Sequence, residues 1–207
     1  MNRHDAIVQP VPIEDLRPTQ IALGMREVAE KRRQWRKHID KGDAVEFFSR
    51  HVVPTVLGPK KRHYLIDRHH LVRAMLEEKV EKVMVSIVND LSDLGDYSFW
   101  VFLDDRSWCH PYDEDGRRQD FSEIPKTVAK LKDDPYRSLA GELRRAGGFA
   151  KEVAPFSEFL WADFLRNRIK PDALTADFAD ALVIAMTLAR GEDAAYLPGW
   201  CGPDPIE

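Results

Sequence analysis

The sequence is poor in cysteine: Cys109 and Cys201 are the two among 207 residues. Two thiols are too few for a disulfide framework and suit a reducing cytoplasm, which is the compartment expected. Long apolar runs are missing, since no stretch approaches the roughly 18 residues that a membrane-spanning helix needs. Residues 1–9 lack the apolar core of a signal peptide, and no membrane partner is expected. Excess charge of either sign is also absent, because 31 basic side chains stand against 35 acidic ones and leave −4. That balance argues against a body held to nucleic acid by a broadly basic surface. Repeats and low-complexity tracts are absent as well. The length suffices for one large core, or for a core with an appendage.

Local patterns divide the chain in two. Residues 7–16 alternate weakly and carry two prolines, which predicts a short edge strand running into a loop. Residues 24–42 predict a surface helix with a narrow buried stripe of Met25, Val28, Ala29, Trp35 and Ile39. A βαβ-like unit follows, with a strand over 52–57, a turn at 58–61 and a strand over 63–66. A helix over 69–79 and a strand over 83–88 complete it, the last apolar enough to expect cover on both faces. Residues 97–103 fit helix or strand, and 104–120 read as a polar loop. Helical patterns then cover 125–132, 135–146, 155–169 and 175–190, before an irregular tail from residue 196. The fold class is therefore α/β in the broad sense (α+β), with a mixed-sheet domain over 1–95. A mainly helical C-terminal extension over 96–207 is expected to pack on it.

The most informative segment runs from Tyr64 to Ala74, where a strand ends, Asp67 is placed to cap, and a helix begins near Arg68. Arg68, His69 and His70 crowd that first turn, where cations are unfavourable by up to roughly 1 kcal/mol each. An anion there would remove the conflict, and phosphate at a helix N-terminus is a common solution. Arg73 follows one turn later on the same side. The plainer alternative is that Asp67 caps the helix while neutral histidines pack locally. No metal site is expected, because adjacent histidines on a helix diverge by about 100° and rarely share one ion.

The same residues carry a family resemblance. A strand followed by Asp67-Arg68-His69-His70 and a helix resembles the Asp-Gly-His-His-Arg motif of the ParB/sulfiredoxin superfamily. Upstream, Val11-Pro12-Ile13-Glu14-Asp15-Leu16-Arg17-Pro18 resembles the opening of ParB-like domains. With Gly24-Met25-Arg26-Glu27-Val28 and the helical half, the chain is similar to the group named putative ParB-like nucleases. The resemblance implies a ParB/sulfiredoxin-like fold in which Asp67, His69 and His70 form a phosphate and metal-nucleotide site. ParB partition proteins hydrolyse CTP, sulfiredoxin uses ATP to repair an oxidised cysteine, and free serine kinases transfer phosphate from ADP to serine. The implied cofactor is thus ATP, ADP or CTP, with Mg²⁺ as companion ion. Arg68 stands in place of the motif glycine and Leu71 in place of its arginine. His69 stands where sulfiredoxin has its catalytic cysteine, which removes that repair chemistry. The Gly-Glu-Arg-Arg motif of partition proteins is absent, so the serine-kinase comparison survives best.

A small-molecule kinase or nucleotide hydrolase needs a carboxylate near the acceptor. Glu27 is the preferred base and Glu14 the second, with His70 in the reacting turn and Arg26 as a further phosphate ligand. The leaning is therefore towards an enzyme acting on a nucleotide or small phosphorylated ligand. The alternative is a ParB-like DNA-binding or nuclease protein that uses the basic run from Arg26 to His38. A helix-turn-helix over 125–146 is disfavoured by its acidic turn, Asp133-Asp134. Trp108-Cys109-His110-Pro111-Tyr112 reads as a substrate contact or lid, or else as aromatic burial. The aromatic helix over 155–169 leaves room for a second copy of the chain as a partner.

Overall fold

The computed structural model describes residues 7–203; the ends of the expected leader-free N-terminus and irregular tail lie outside that range. The first strand, β1 (Ile7–Pro12), feeds a 3-10 turn and the two-residue strand β2 (Leu16–Arg17). After a loop come β3 (Ala22–Leu23), α1 (Met25–Lys41) and α2 (Ala44–Arg50). The hairpin β4 (Val53–Gly58) and β5 (Arg62–Leu65) leads to α3 (His69–Glu77) and β6 (Lys82–Asp90). The second half holds α4 (Asp96–Asp105), β7 (Lys132–Asp133), α5 (Pro135–Arg145) and α6 (Ser157–Arg166). It closes with α7 (Pro171–Ala176) and α8 (Phe178–Arg190). The fold is α+β, as its sequence pattern predicts. Among the described residues no helix is long and apolar enough to cross a membrane.

Five strands make a mixed sheet in the order β1-β6-β4-β5-β2. The edge strand β1 runs antiparallel to β6, opposing Pro10 to Met84 and Pro12 to Lys82, which is where prolines are tolerated. One face of the sheet packs Val53, Leu65, Val83 and Val85 against Val28 and Trp35 of α1 and Leu71, Val72 and Met75 of α3. On the other face Val56 and Tyr64 meet Phe99 and Leu103 of α4. A third core joins Leu139 and Leu143 of α5, Trp161, Phe164 and Leu165 of α6 and the alanine stripe Ala181, Ala185 and Ala189 of α8.

Several local expectations change. Residues 125–132 are not an α-helix: a 3-10 turn at Val128–Lys130 precedes β7. The reason lies elsewhere in the chain, because the Arg73 guanidinium takes up the Val128 and Ala129 carbonyls at 3.1 and 2.7 Å. Lys132 and Asp134 then donate to the Ile21 and Leu23 carbonyls. Those partners replace the internal bonds a helix would make, and they leave no first helix for a helix-turn-helix. The helix expected over 175–190 breaks at Asp177, whose carboxylate caps α8 by accepting from Ala179 and Asp180. Strand β6 is buried at Val83 and Val85 but exposed at Val88, since α4 lies over β4 and β5 and leaves its second face uncovered. The short α2, whose Phe47 and Phe48 pack on Trp35, is an element that residue patterns did not predict.

Gly58 ends β4 where α4 comes closest. A Cβ there would lie 2.6 Å from the Tyr64 ring and 2.7 Å from the Phe99 ring. Neither ring is a flexible tail that swings aside. Gly58→Ala is expected to lower stability by about 1–3 kcal/mol, read as a reduced urea midpoint with an unchanged slope. Wild-type stability in this variant would show that α4 is not seated on the sheet as described.

Candidate functional site

Strand β5 ends at Leu65, and α3 starts three residues after Ile66 with Arg68 as its N-cap residue. Arg68 has φ 63 and ψ 27, a left-handed conformation that suits glycine, the residue expected at this motif position. The Asp67 carboxylate accepts from the Arg68 N–H at 2.6 Å, and no side chain caps the helix. The amides of its first turn are left to other partners.

Both histidines of that turn act as acceptors. His69 Nε2 accepts from the Thr19 N–H, and His70 Nε2 from the Gly24 N–H, each at 3.1 Å. Each ring is therefore neutral with its proton on Nδ1. Burial pushes His69 down to about 3, and it takes His70 to about 4 against the opposing pull of the Glu27 carboxylate. The conflict of cations at a helix start is thus relieved inside the protein. The loop from Thr19 to Gly24 is pinned across the end of α3. Gly24 has no room for a side chain, because a Cβ would sit 2.9 Å from the Ser138 backbone nitrogen.

The pinned loop brings in α5. The Asp134 carboxylate caps that helix, accepting from Tyr136 and Arg137 and pairing with Arg166 at 2.7 Å. Arg137, 6 % exposed, reaches Glu27 Oε2 at 3.3 Å and lies over the Phe159 ring. Its buried Nε has no hydrogen-bond partner. Burial raises the Glu27 carboxyl, but His70, Arg137, Arg145 and Lys31 outweigh it and hold the group near 2. His70 Nε2 lies 3.8 Å from that carboxylate.

These groups open on a cavity of about 420 Å³ lined by Asp67, His69, His70, Arg137, Lys151 and Glu158 among others. Trp108, Phe156 and Phe159 supply apolar wall, and Gln20 and Glu152 further polar lining. Asp67, His69 and His70 meet here, and Glu27 stands behind Arg137. Arg26, Arg68, Arg73 and Glu14 do not line the cavity; the Arg68 guanidinium donates to the Arg50 carbonyl at 3.4 Å. The Arg26 guanidinium stacks 3.5 Å over Phe178, and Arg73 is taken up by Glu77 and the 128–131 carbonyls. Glu14 is exposed near Leu76 and Lys79, at the opposite end of α3.

Arg137, Lys151 and Glu158 escaped the residue-by-residue prediction. A signal did exist for Arg137, since it is a cation in the first turn of a helix, the same conflict that drew attention to Arg68. In the loop after α4, Cys109 is buried and its thiol is pushed up to about 12 by burial beside Asp104. It is therefore no nucleophile at neutral pH. His110 stacks against Tyr112, Phe156 and Phe159, and burial lowers it to about 3. Among the described residues, no three His, Cys, Asp or Glu side chains gather into a metal site.

The model of a family described as putative ParB-like nuclease matches residues 9–167. The chain is similar to protein Atu1540 from Agrobacterium tumefaciens, known from a crystal structure, at 50% identity and a TM-score of 0.90. The match covers 99% of this chain and 100% of that one. No curated protein matches it.

Three histidines, the buried His69 and the half-buried His70 and His110, set an acid limit. Each is held below its ordinary 6.5, so the unfolded chain takes up the proton first. Their stabilising share is complete above pH 6.5 and is lost as pH falls towards 4 for His70 and 3 for His69 and His110. Glu27 contributes nothing to this window, because its loss begins below 4.5. Urea midpoints are expected to fall between about pH 7.5 and 5.5, as the unfolding free energy drops by around 1 kcal/mol per ring per pH unit once below 6. His69→Gln keeps an acceptor for Thr19 and should flatten the slope; equal midpoints at both pH values would contradict neutral burial.

Proposed function

The chain belongs to the family of putative ParB-like nucleases, and from that premise we propose that its cavity binds a nucleotide or a small phosphorylated molecule. The observation that carries this reading is Arg137: a buried guanidinium with an unpartnered Nε, lining the same cavity as the uncapped start of α3. An unmet buried donor costs roughly 1–3 kcal/mol, and a phosphate oxygen would meet it. Free first-turn amides and the helix dipole favour the same anion. Lys151 adds charge at the rim, while Trp108, Phe156 and Phe159 offer apolar surface for the rest of the ligand.

In this reading His69 and His70 shape the site by holding the loop, and Asp67 with a rim carboxylate would face a phosphate-bound Mg²⁺. That ion would neutralise phosphate charge. Glu27, ionised and engaged by Arg137, positions that arginine. A carboxylate held near 2 is a poor proton acceptor at neutral pH. If the site transfers or hydrolyses phosphate, Glu152 or Glu158 is better placed as base than Glu27 or Glu14, because both line the cavity. A nuclease is the second reading, favoured by the family description.

Calorimetry with ATP, ADP and CTP, each with and without Mg²⁺, tests the first reading. At least one is expected to bind, and Arg137→Met to weaken it about tenfold or more. Lys151→Ala, at an exposed position, should weaken it less and guards against a folding defect in the first variant. Binding of none of the three, with the protein folded, sinks the proposal. Incubation with single- and double-stranded DNA and RNA in Mg²⁺ or Mn²⁺ decides the second, which predicts chain cleavage.

A further inference from the structure

A separate surface carries charge that the cavity does not use. Beside β2, β5 and α4 lies a depression of about 460 Å³, and a second of about 390 Å³ adjoins it, sharing Ser122, Ile124, Pro125 and Lys126. Arg17, Lys60, Arg62, Lys126 and Lys130 line the pair, and among the described residues none of the five forms an ion pair. The acidic groups facing them are Asp96 and Glu123, while Lys132 is already paired with Glu114. In a chain of net charge −4, this is a local concentration of cations without ion-pair partners, of which Arg62 is hydrogen-bonded to Tyr64.

Aromatic rings are interleaved with that charge. Trp100 stacks on Phe121 with centroids 5.9 Å apart, and Tyr64 meets Trp100 edge-on at 5.6 Å. Tyr97, one turn before Trp100 on α4, is 79 % exposed. Lys60, at the turn between β4 and β5, has φ 63, a left-handed conformation.

We infer that this cationic, aromatic track binds single-stranded nucleic acid, with phosphates on Arg17, Lys60, Arg62, Lys126 and Lys130 and bases against Tyr97 and the Trp100–Phe121 stack. A chain of phosphates meets a row of unpaired cations, and every base has a face for an exposed ring. Duplex DNA hides those faces and would use the charge alone. The inference does not depend on the phosphate cavity at α3.

Fluorescence anisotropy with labelled oligo(dT) and oligo(U) of about 12 nucleotides, and with a matched duplex, tests it. Single strands are expected to bind more tightly than the duplex, with a log–log salt slope of about −3 between roughly 50 and 200 mM salt. Tyr97→Ala should weaken binding about fivefold or more. Lys126→Glu with Lys130→Glu should weaken it further and reduce the slope by roughly 1.4. Tighter oligo(dT) assigns DNA and tighter oligo(U) assigns RNA, and either supports the track. No binding at low salt, duplex preference, or variants that bind like the wild type would overturn it.

Discussion

The arrangement depends on two neutral imidazoles at the start of one helix. His69 and His70 accept backbone N–H groups of Thr19 and Gly24, and so hold the intervening loop across the end of α3. The Thr19 carbonyl then receives the His110 N–H, and the Ile21 and Leu23 carbonyls receive Lys132 and Asp134. Asp134 in turn caps α5, which carries Arg137 to the cavity. One pair of hydrogen bonds thus ties the sheet, the aromatic loop and the C-terminal helices to a common point.

This design has an electrostatic consequence. Rings buried as acceptors cannot also be cations, so the positive charge at the cavity comes from Arg137 and Lys151. Glu27 balances the buried guanidinium without occupying its Nε. Arg137 therefore has a structural partner on one side and an unmet donor on the other. The Nε of Arg166, which pairs with Asp134, is likewise unmet, so what sets Arg137 apart is its place in the cavity wall.

Much of the sheet domain was legible in the residues, for identifiable reasons. The strands at 52–57 and 63–66 and the helix after Asp67 follow local apolar periodicity, and α3 and β5 begin or end within a residue or two of it. Arg68 stands where the motif has glycine, and only the structure shows that its backbone takes the left-handed conformation glycine would hold without strain. The 125–132 segment failed because its carbonyls are claimed by Arg73, 55 and 56 residues away for Val128 and Ala129. Arg73 and Arg26 had charge of the right sign at plausible positions. Their side chains are committed to packing and carbonyl contacts that no local pattern records.

By itself the sequence determined where a strand gives way to a helix at Asp67, what kind of residues crowd that turn, and which family the motif belongs to. These are properties of neighbouring residues, whose spacing and backbone preference act over one or two turns. The tertiary structure decided which of them remain available for chemistry. His69 reaches Thr19 across 50 residues, His70 reaches Gly24 across 46, and Arg137 reaches Glu27 across 110. Protonation state, burial and partnership arise from those long-range contacts. They turn two apparent cations at one helix into neutral struts, and they bury the cation of another, Arg137, in the cavity wall.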